Sequence, residues 1–511
     1  MHIKNLLLPA LLFCSVQTFA QTNFTFTPEK PKAGDVITIN YTPSGTIANT
    51  TSPLNAIVYT MSDNEYHADD IQFKKNGKDF TGSVKTDTSD NFVFFSFSAD
   101  GNYDINSNNG YWIRLYDGDQ IKKGADLNLS SFYQGFDRTA GMDPDNEKAL
   151  KYMEEEFKNN PESKNKKLGA YVRLYSTVNK DKAPEMIQKE IESTIKAGLK
   201  DENDYSTIQN LYSFAKLPEQ AKLINDLKKE KFPNGQWQIN ETVNNFLKEK
   251  DIAKKESMFD DISSKIKNDS SWKFLDPSLS YFQSSILNAY SQKQDWQGLN
   301  DAIKKYDIKG SGLASFYNNT AWEIQKTDKN LDEAEKMSAK AVDIAKKEWK
   351  NPEGKKPDYL SQSQWEKSRE SSYAMYADTY AMVNYKLGNY KKGLLYAEDA
   401  ALKIEKGKSA DENNTYALLA QKALSSKKYV PKLEQFVKDG KSTSKIKEIL
   451  KEAYFKKHKT DKEYDDYIVA LEKDGYLKMV ADLKKEMLKD PAPKFTLVDL
   501  KGNKVNIQDL K

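Results

Sequence analysis

The spacing of apolar residues changes once along this chain, from every second position to every third or fourth. Between Asn23 and about Gln134 the period is two: "DVITINYT" sets Ile37, Ile39 and Tyr41 against Thr38 and Asn40. "NFVFFSFS" does the same with Val93, Phe95 and Phe97, and "GYWIRLYDG" with Tyr111, Ile113 and Leu115. Successive side chains of a strand point to opposite faces, so these runs predict half-buried strands. Turn clusters such as "KPKAGD", "KKNGKD" and "NSNNGY" separate them. About seven short strands with no helical pattern between them predict an antiparallel two-sheet sandwich.

From Asp143 to about Lys489 the period is helical. "DPDNEKALKYMEEEF" opens it with an acidic cap, a proline expected at the first helical position and acids in the first turn. Small residues then recur. Ala149 and Ala221 are each followed twelve residues later by a proline, Pro161 and Pro233. Ala334 and Ala341 lie seven apart, as do Gly393 and Ala400, with Gly388-Asn389-Tyr390 and Asp295-Trp296 at turns between helices. Small side chains let paired helices approach closely, and such pairs stack into solenoids. On these residues the region resembles tetratricopeptide repeats. Gly393 follows Ala334 by 59 residues, which is not a multiple of the roughly 34-residue repeat; the insertion "EWKNPEGKKPDYLSQSQW" supplies the excess. The earlier stretch "TPEKPKAGDVITINYTP" resembles the first strands of bacterial immunoglobulin-like domains, without the paired cysteines of antibody domains.

The first twenty residues have a basic start at Lys4, an apolar stretch from Leu6 to Val16 and small residues at Thr18 and Ala20. This pattern predicts a secretory signal peptide, with the mature chain starting at Gln21. The sole cysteine, Cys14, falls inside it, behind a Phe13 too bulky for a lipoprotein cleavage site. A mature chain without thiols has no disulfides, cysteine nucleophile or thiolate metal site. No other stretch approaches the ~18 apolar residues of a membrane span.

Charge narrows the choice of partners. The chain has 78 basic and 75 acidic residues, and the basic ones are lysines except Arg114, Arg138, Arg173 and Arg369. Lysine lacks the planar fork that reads bases and phosphates, so nucleic acid is not an expected partner. No catalytic, cofactor or metal residue is expected either. Only His67 and His458 remain after the signal, "NGK" at Asn76 to Lys78 sits in a strand turn, and "DPDNE" lacks the glycine and distant glutamate of a calcium loop.

Aromatic residues make up 12% of the chain, and two clusters are candidates for partner binding. Trp112, Arg114 and Tyr116 share the strand face opposite Ile113 and Leu115, to contact a partner or glycan or to pack laterally against the helices. Tyr373, Tyr376 and Tyr380, with Tyr385 less regularly, recur at helical spacing, to line a peptide groove or to pack between helices.

The last residues, "APKFTLVDLKGNKVNIQDLK", read as a β-hairpin. Ala492, Pro493, Phe495, Leu497, Asp499, Leu500, Gly502, Val505, Ile507 and Leu510-Lys511 match, in order, the opening of thioredoxin-fold redoxins of the TlpA-like and peroxiredoxin-related kind, which this stretch resembles. In that family a Cys-x-x-Cys at the start of a helix follows. The resemblance therefore implies an exported thiol-disulfide oxidoreductase whose catalytic residues lie outside these 511. The whole layout, with Ala20-Gln21 at the signal's end, resembles exported redoxin-domain proteins of the Bacteroidetes. The expected organisation is a signal at 1–20, an immunoglobulin-like sandwich at 21–138, tetratricopeptide-like repeats at 139–489, and a linker with the redoxin's opening hairpin at 490–511. The expected function is partner binding without catalysis in the periplasm or cell envelope, with protein clients or envelope proteins as partners. The alternative is a free-standing envelope scaffold that binds peptide or glycan.

Overall fold

The computed structural model describes residues 23–486 except 64, 137, 353 and 461, together with 496–498 and 504–506. The expected signal peptide with Cys14, and most of the 490–511 motif, lie outside the described residues. The chain divides into two compact units: one runs to Lys228 and includes Pro357–Gln362, and the other comprises Lys229–Lys356 and the chain from Ser363.

The first unit holds two larger antiparallel sheets, besides a short ladder of Tyr116–Asp117 with Gln120–Ile121. One consists of β1 (Phe24–Thr27), β2 (Val36–Tyr41), β5 (Lys74–Asn76) and β6 (Asp79–Lys85) in the order β1-β2-β6-β5. The other is built on β3 (Asn55–Met61), β4 (Tyr66–Asp70) and β7 (Phe92–Ala99), in the order β4-β3-β7, with β8 (Asn102–Tyr103) and β9 (Tyr111–Arg114) also pairing with β7. The period of two holds where the sequence shows it. Ile37, Ile39 and Tyr41 are buried while Val36 is exposed, and they meet Val58, Val93, Phe95 and Phe97 in the core between the sheets.

β7 departs from simple alternation, because all eight of its residues are buried. Its second face, Phe92 and Phe94, is covered as well: Phe94 stacks on Tyr59 at 4.5 Å and lies 5.0 Å from Phe132. Phe132 ends α1 (Ala125–Ser131), and behind it pack α2 (Asn146–Asn159), α3 (Glu162–Val178), α4 (Ala183–Ala197) and α5 (Glu202–Phe214). Each phenylalanine buried this way contributes about 1.5–3 kcal/mol. The first helices therefore belong to the same compact unit as the sheets, and the change of period near residue 138 is not where the units divide.

α2 begins two residues later than expected. Asp145 is its cap, with Oδ1 accepting from Lys148 N at 2.9 Å, so Pro144 precedes the helix instead of opening it. The Asp145 amide donates to Tyr133 O at 3.0 Å, which keeps the chain out of the helix up to that point. In the same unit, Asp358 O accepts from Ala68 N at 2.9 Å and Ser361 Oγ donates to Asp70 Oδ1 at 2.8 Å.

Beyond α6 (Pro218–Lys231) the second unit is a series of helices: α7 (Gln236–Lys248), α8 (Ile252–Asn268), α9 (Leu279–Gln292) and α10 (Trp296–Lys305). α11 (Gly310–Lys326), α12 (Leu331–Lys350), α13 (Gln362–Lys386) and α14 (Tyr390–Ala397) follow. The last are α15 (Ala410–Ala423), α16 (Ser426–Lys438), α17 (Ser444–His458) and α18 (Tyr464–Glu486). The small residues picked out in the sequence sit at tight contacts. Ala334, Ala341 and Ala400 are fully buried, and a Cβ on Gly393 would meet Leu419 Cδ2 at 2.8 Å and Ala381 O at 3.0 Å. Asp295 caps α10 by accepting from Gly298 N at 2.9 Å, as its place at an inter-helix turn requires. Near the end, Thr496–Val498 pairs antiparallel with Lys504–Asn506, with Leu497 opposite Val505.

Candidate partner-binding site

Neither aromatic cluster singled out in the sequence forms an open face. Trp112 and Arg114 lie on β9, and Tyr152 of α2 packs over them. The Arg114 guanidinium carbon stands 5.3 Å from the Trp112 ring and 5.2 Å from that of Tyr152, while Nε is 3.1 Å from Asp126 Oδ1. Burial pushes the Asp126 carboxyl up to about 6, with Arg114 opposing the rise and Glu155 and Glu156 adding to it. This is lateral packing against the helices. Tyr116 leaves the strip altogether. β9 ends at Arg114, and Tyr116 pairs with Ile121 in a separate two-stranded ladder after its amide has donated to Pro31 O at 2.9 Å.

The tyrosines of α13 pack as well. Tyr373, Tyr376 and Tyr380 are 1%, 6% and 4% exposed, so they do not line a groove. Tyr373 stacks on Trp349 at 5.1 Å and donates to Asp399 at 2.8 Å; Tyr380 donates to Glu335 at 2.8 Å, an acid that also accepts from Lys392 at 2.7 Å. Tyr385 is half-buried beside Tyr390, 5.8 Å away. α13 buries residues on more than one side, so helical spacing alone could not tell an open face from a covered one.

A groove lies between α9 and α11. Phe282, Ile286 and Leu287 of α9 and Leu313, Ala314, Tyr317 and Ala321 of α11 are buried in the helical core. This orientation turns Ser284, Asn288, Gln292, Ser315 and Asn319 toward a cavity of about 690 Å³. Ten of its sixteen lining residues carry an uncharged amide or hydroxyl, and only Glu323 and Lys329 are charged. In a chain that is 30% charged, about five charges would be expected among sixteen residues. Glu323 pairs with Lys326 at 2.6 Å, and Asn330 donates to Gln294 Oε1 at 2.9 Å at one end. The side chains of Asn288, Gln292 and Asn319 are exposed and make no hydrogen bond to the described protein.

A sequence signal for this groove existed. The whole of α9, "LSYFQSSILNAYSQ", has no charged residue, and neither does the stretch from Gly310 to Trp322 that forms most of α11. Charge-poor stretches in a lysine- and glutamate-rich chain were a better guide than aromatic ones.

A second cleft of about 1020 Å³ lies among α16, α17 and α18. Its aromatic residues are engaged with one another: Tyr454 stacks on His458 at 4.2 Å, and Tyr467 lies 5.2 Å from Tyr454 and donates to Glu434 at 2.6 Å. Lysines and acids share its rim, so it selects no charge. Among the described residues no three His, Cys, Asp or Glu side chains are grouped so as to hold a metal ion, and no helix is long and apolar enough to cross a membrane. No known protein family and no curated protein matches this chain.

Proposed function

We propose that this chain is the non-catalytic, partner-binding region of an exported thioredoxin-like thiol-disulfide oxidoreductase, with an immunoglobulin-like sandwich and tetratricopeptide-like repeats ahead of the redoxin. The observation that carries the reading is the pairing of Leu497 with Val505 inside the redoxin-like motif, since a hairpin at this place is how that motif opens. The burial of Ala334, Ala341 and Ala400 where helices meet supports the repeat part. Thiol exchange needs a thiolate, and the chain after the signal has none. Partner binding is the role left to these residues.

The test is to read the coding sequence past the codon for Lys511 and to measure the intact mass of the native protein. A continuation into a strand and a Cys-x-x-Cys is expected, and replacing its second cysteine by serine should trap clients as mixed disulfides. A stop codon directly after Lys511, with a matching mass, removes the redoxin part. Insulin reduction by residues 21–511 alone would also count against it.

A second reading is a free-standing envelope scaffold. The charge-poor α9/α11 groove favours it, because that site needs nothing from residues 490–511. Ligand binding that is unchanged after deletion of those residues, in a protein whose gene ends at Lys511, would select it.

A further inference from the structure

Part of the insertion between α12 and α13 belongs with the sheets. Residues 357–362 are in the first unit, although the chain on both sides of them is in the second. They lie against β4, the end strand of its sheet. Asp358 O takes the Ala68 amide, the fully buried Ser361 donates to Asp70 Oδ1, and the Tyr359 ring stands 6.3 Å from that of Tyr66. The Leu360 amide turns back to Pro357 O at 3.1 Å, so the segment sits on the strand as a turn and does not lengthen the sheet.

The direction of the main-chain groups of β4 follows from its pairing. In an antiparallel ladder each residue turns its N–H and C=O to the same side, and successive residues alternate. Glu65 O accepts from Ser62 N, and the Ile71 amide donates to Ala56 O, so the odd-numbered residues here face β3. Tyr66, Ala68 and Asp70 therefore turn theirs outward, which is how Ala68 meets Asp358. An outward row of donors and acceptors is a template for another strand, and natural sheets cover such edges.

The strand is complementary to itself. Two copies of β4 laid antiparallel about Ala68 pair Ala68 with Ala68, Tyr66 with Asp70 and His67 with Asp69. The outward residues of each copy then exchange main-chain hydrogen bonds. Imidazole faces carboxylate wherever His67 meets Asp69, and no acid stands directly opposite an acid. Such a contact is isologous, so it consumes this edge of both chains and closes at two copies.

We propose that residues 357–361 are a removable cover on the β4 edge, and that the uncovered edge pairs with β4 of a second copy of this chain. The inference concerns the first unit alone and stands whether or not a redoxin follows residue 511.

Sedimentation equilibrium of the full chain should give the mass of one copy. With residues 357–361 replaced by glycine and serine, the weight-average mass should rise toward twice that value at about 100 µM. Asp69→Lys added to the uncovered chain sets lysine opposite His67 and should return the mass toward one copy. The chain after the signal has no cysteine, so introduced ones report the register. His67→Cys and Asp69→Cys proteins, mixed and oxidised, should cross-link, because these positions face each other. Either protein alone presents its cysteines diagonally, at about 7–8 Å and out of disulfide reach. Cross-linking of the mixture should be about tenfold faster with the cover replaced than with it intact, and Ser361→Ala should quicken it about threefold.

A folded, uncovered chain that keeps the mass of one copy overturns the proposal. So does cross-linking of the mixture no faster than of either protein alone. If the replaced segment prevents folding, Ser361→Ala decides, and a rate unchanged by it overturns the proposal. Pairing in the unaltered chain as tight as in the uncovered one would also overturn it, since the segment would then cover nothing.

Discussion

Arg114 Nε lies 3.1 Å from Asp126 Oδ1, with the two side chains 19% and 2% exposed. The guanidinium is held between the rings of Trp112 and Tyr152, so strand β9 and helices α1 and α2 meet on one cation. A buried ion pair adds little net stability when intact, but losing one partner strands the other charge in a dry site.

Replacing Arg114 by Met keeps the stem and removes the charge, which should destabilise the first unit by about 3–5 kcal/mol at neutral pH. The loss should shrink in acid. Burial holds the Asp126 carboxyl up at about 6, above its ordinary 3.8, so the folded state takes up its proton more readily than the unfolded chain. The group's contribution to stability is therefore fully present below pH 3.8 and disappears as pH rises through 6. Urea titrations of wild type, Arg114→Met and Asp126→Asn at pH 5 and pH 7.5 check this. The Met variant should lose less at pH 5, and the Asn variant should flatten the slope between the two pH values. Equal losses for Arg114→Met at both pH values would mean that packing, not charge, is what Arg114 supplies.

At Gly393 propensity and packing oppose each other. An exposed helical glycine changed to alanine gains about 1 kcal/mol. Here the new methyl would lie 2.8 Å from Leu419 Cδ2, 3.0 Å from Ala381 O and 3.2 Å from Asn384 Cβ. The leucine can turn aside, but the backbone oxygen cannot without moving α13. Gly393→Ala should therefore destabilise by about 1–3 kcal/mol, and Gly393→Val by more. A midpoint that rises on thermal melting of the alanine variant would show that α13 and α14 are not held at this distance.

For the tyrosines of α13 a packing role makes a specific prediction. Tyr380→Phe removes the bond to Glu335 and should cost about 1 kcal/mol, whereas Tyr373→Ala empties a site stacked on Trp349 and should cost about 3–5 kcal/mol. Urea titrations of the two variants check this. A Tyr373→Ala protein as stable as wild type would show that the tyrosines of α13 are not there for packing.

What could be read in advance was whatever depended on neighbours along the chain. The alternation of Ile37, Ile39 and Tyr41 fixed which face of β2 is buried, and the small residues Ala334, Ala341 and Gly393 marked helix contacts before any helix was placed. What failed depended on distant segments. Nothing near Phe92 and Phe94 announces that Phe132 and the helices after it cover the second face of β7. The same helices leave Trp112 and Arg114 only half-exposed. The groove was missed for another reason: its mostly uncharged polar side chains carry no hydrophobic periodicity, and the charge-poor stretches of α9 and α11 do not say that the two helices stand side by side.

Lys255 is a buried cation whose partner is a helix end. It is 3% exposed, and Nζ donates to Phe246 O at 2.9 Å and to Leu247 O and Glu249 O at 3.2 Å. These carbonyls belong to the C-terminal end of α7, where intrahelical donors run out and the helix dipole favours positive charge. Burial pulls the ammonium's pKa down, with Glu249 opposing. Lys255→Met preserves the alkyl packing, including contact with the Phe246 ring, but leaves the carbonyls without this donor, at an expected cost of about 2–4 kcal/mol. Lys255→Arg should not restore full stability, because a planar fork cannot converge on three oxygens around one point as an ammonium does. Chemical denaturation of the three proteins decides the matter. A methionine variant as stable as wild type would show that water caps α7 equally well, and that the lysine is there for its stem alone.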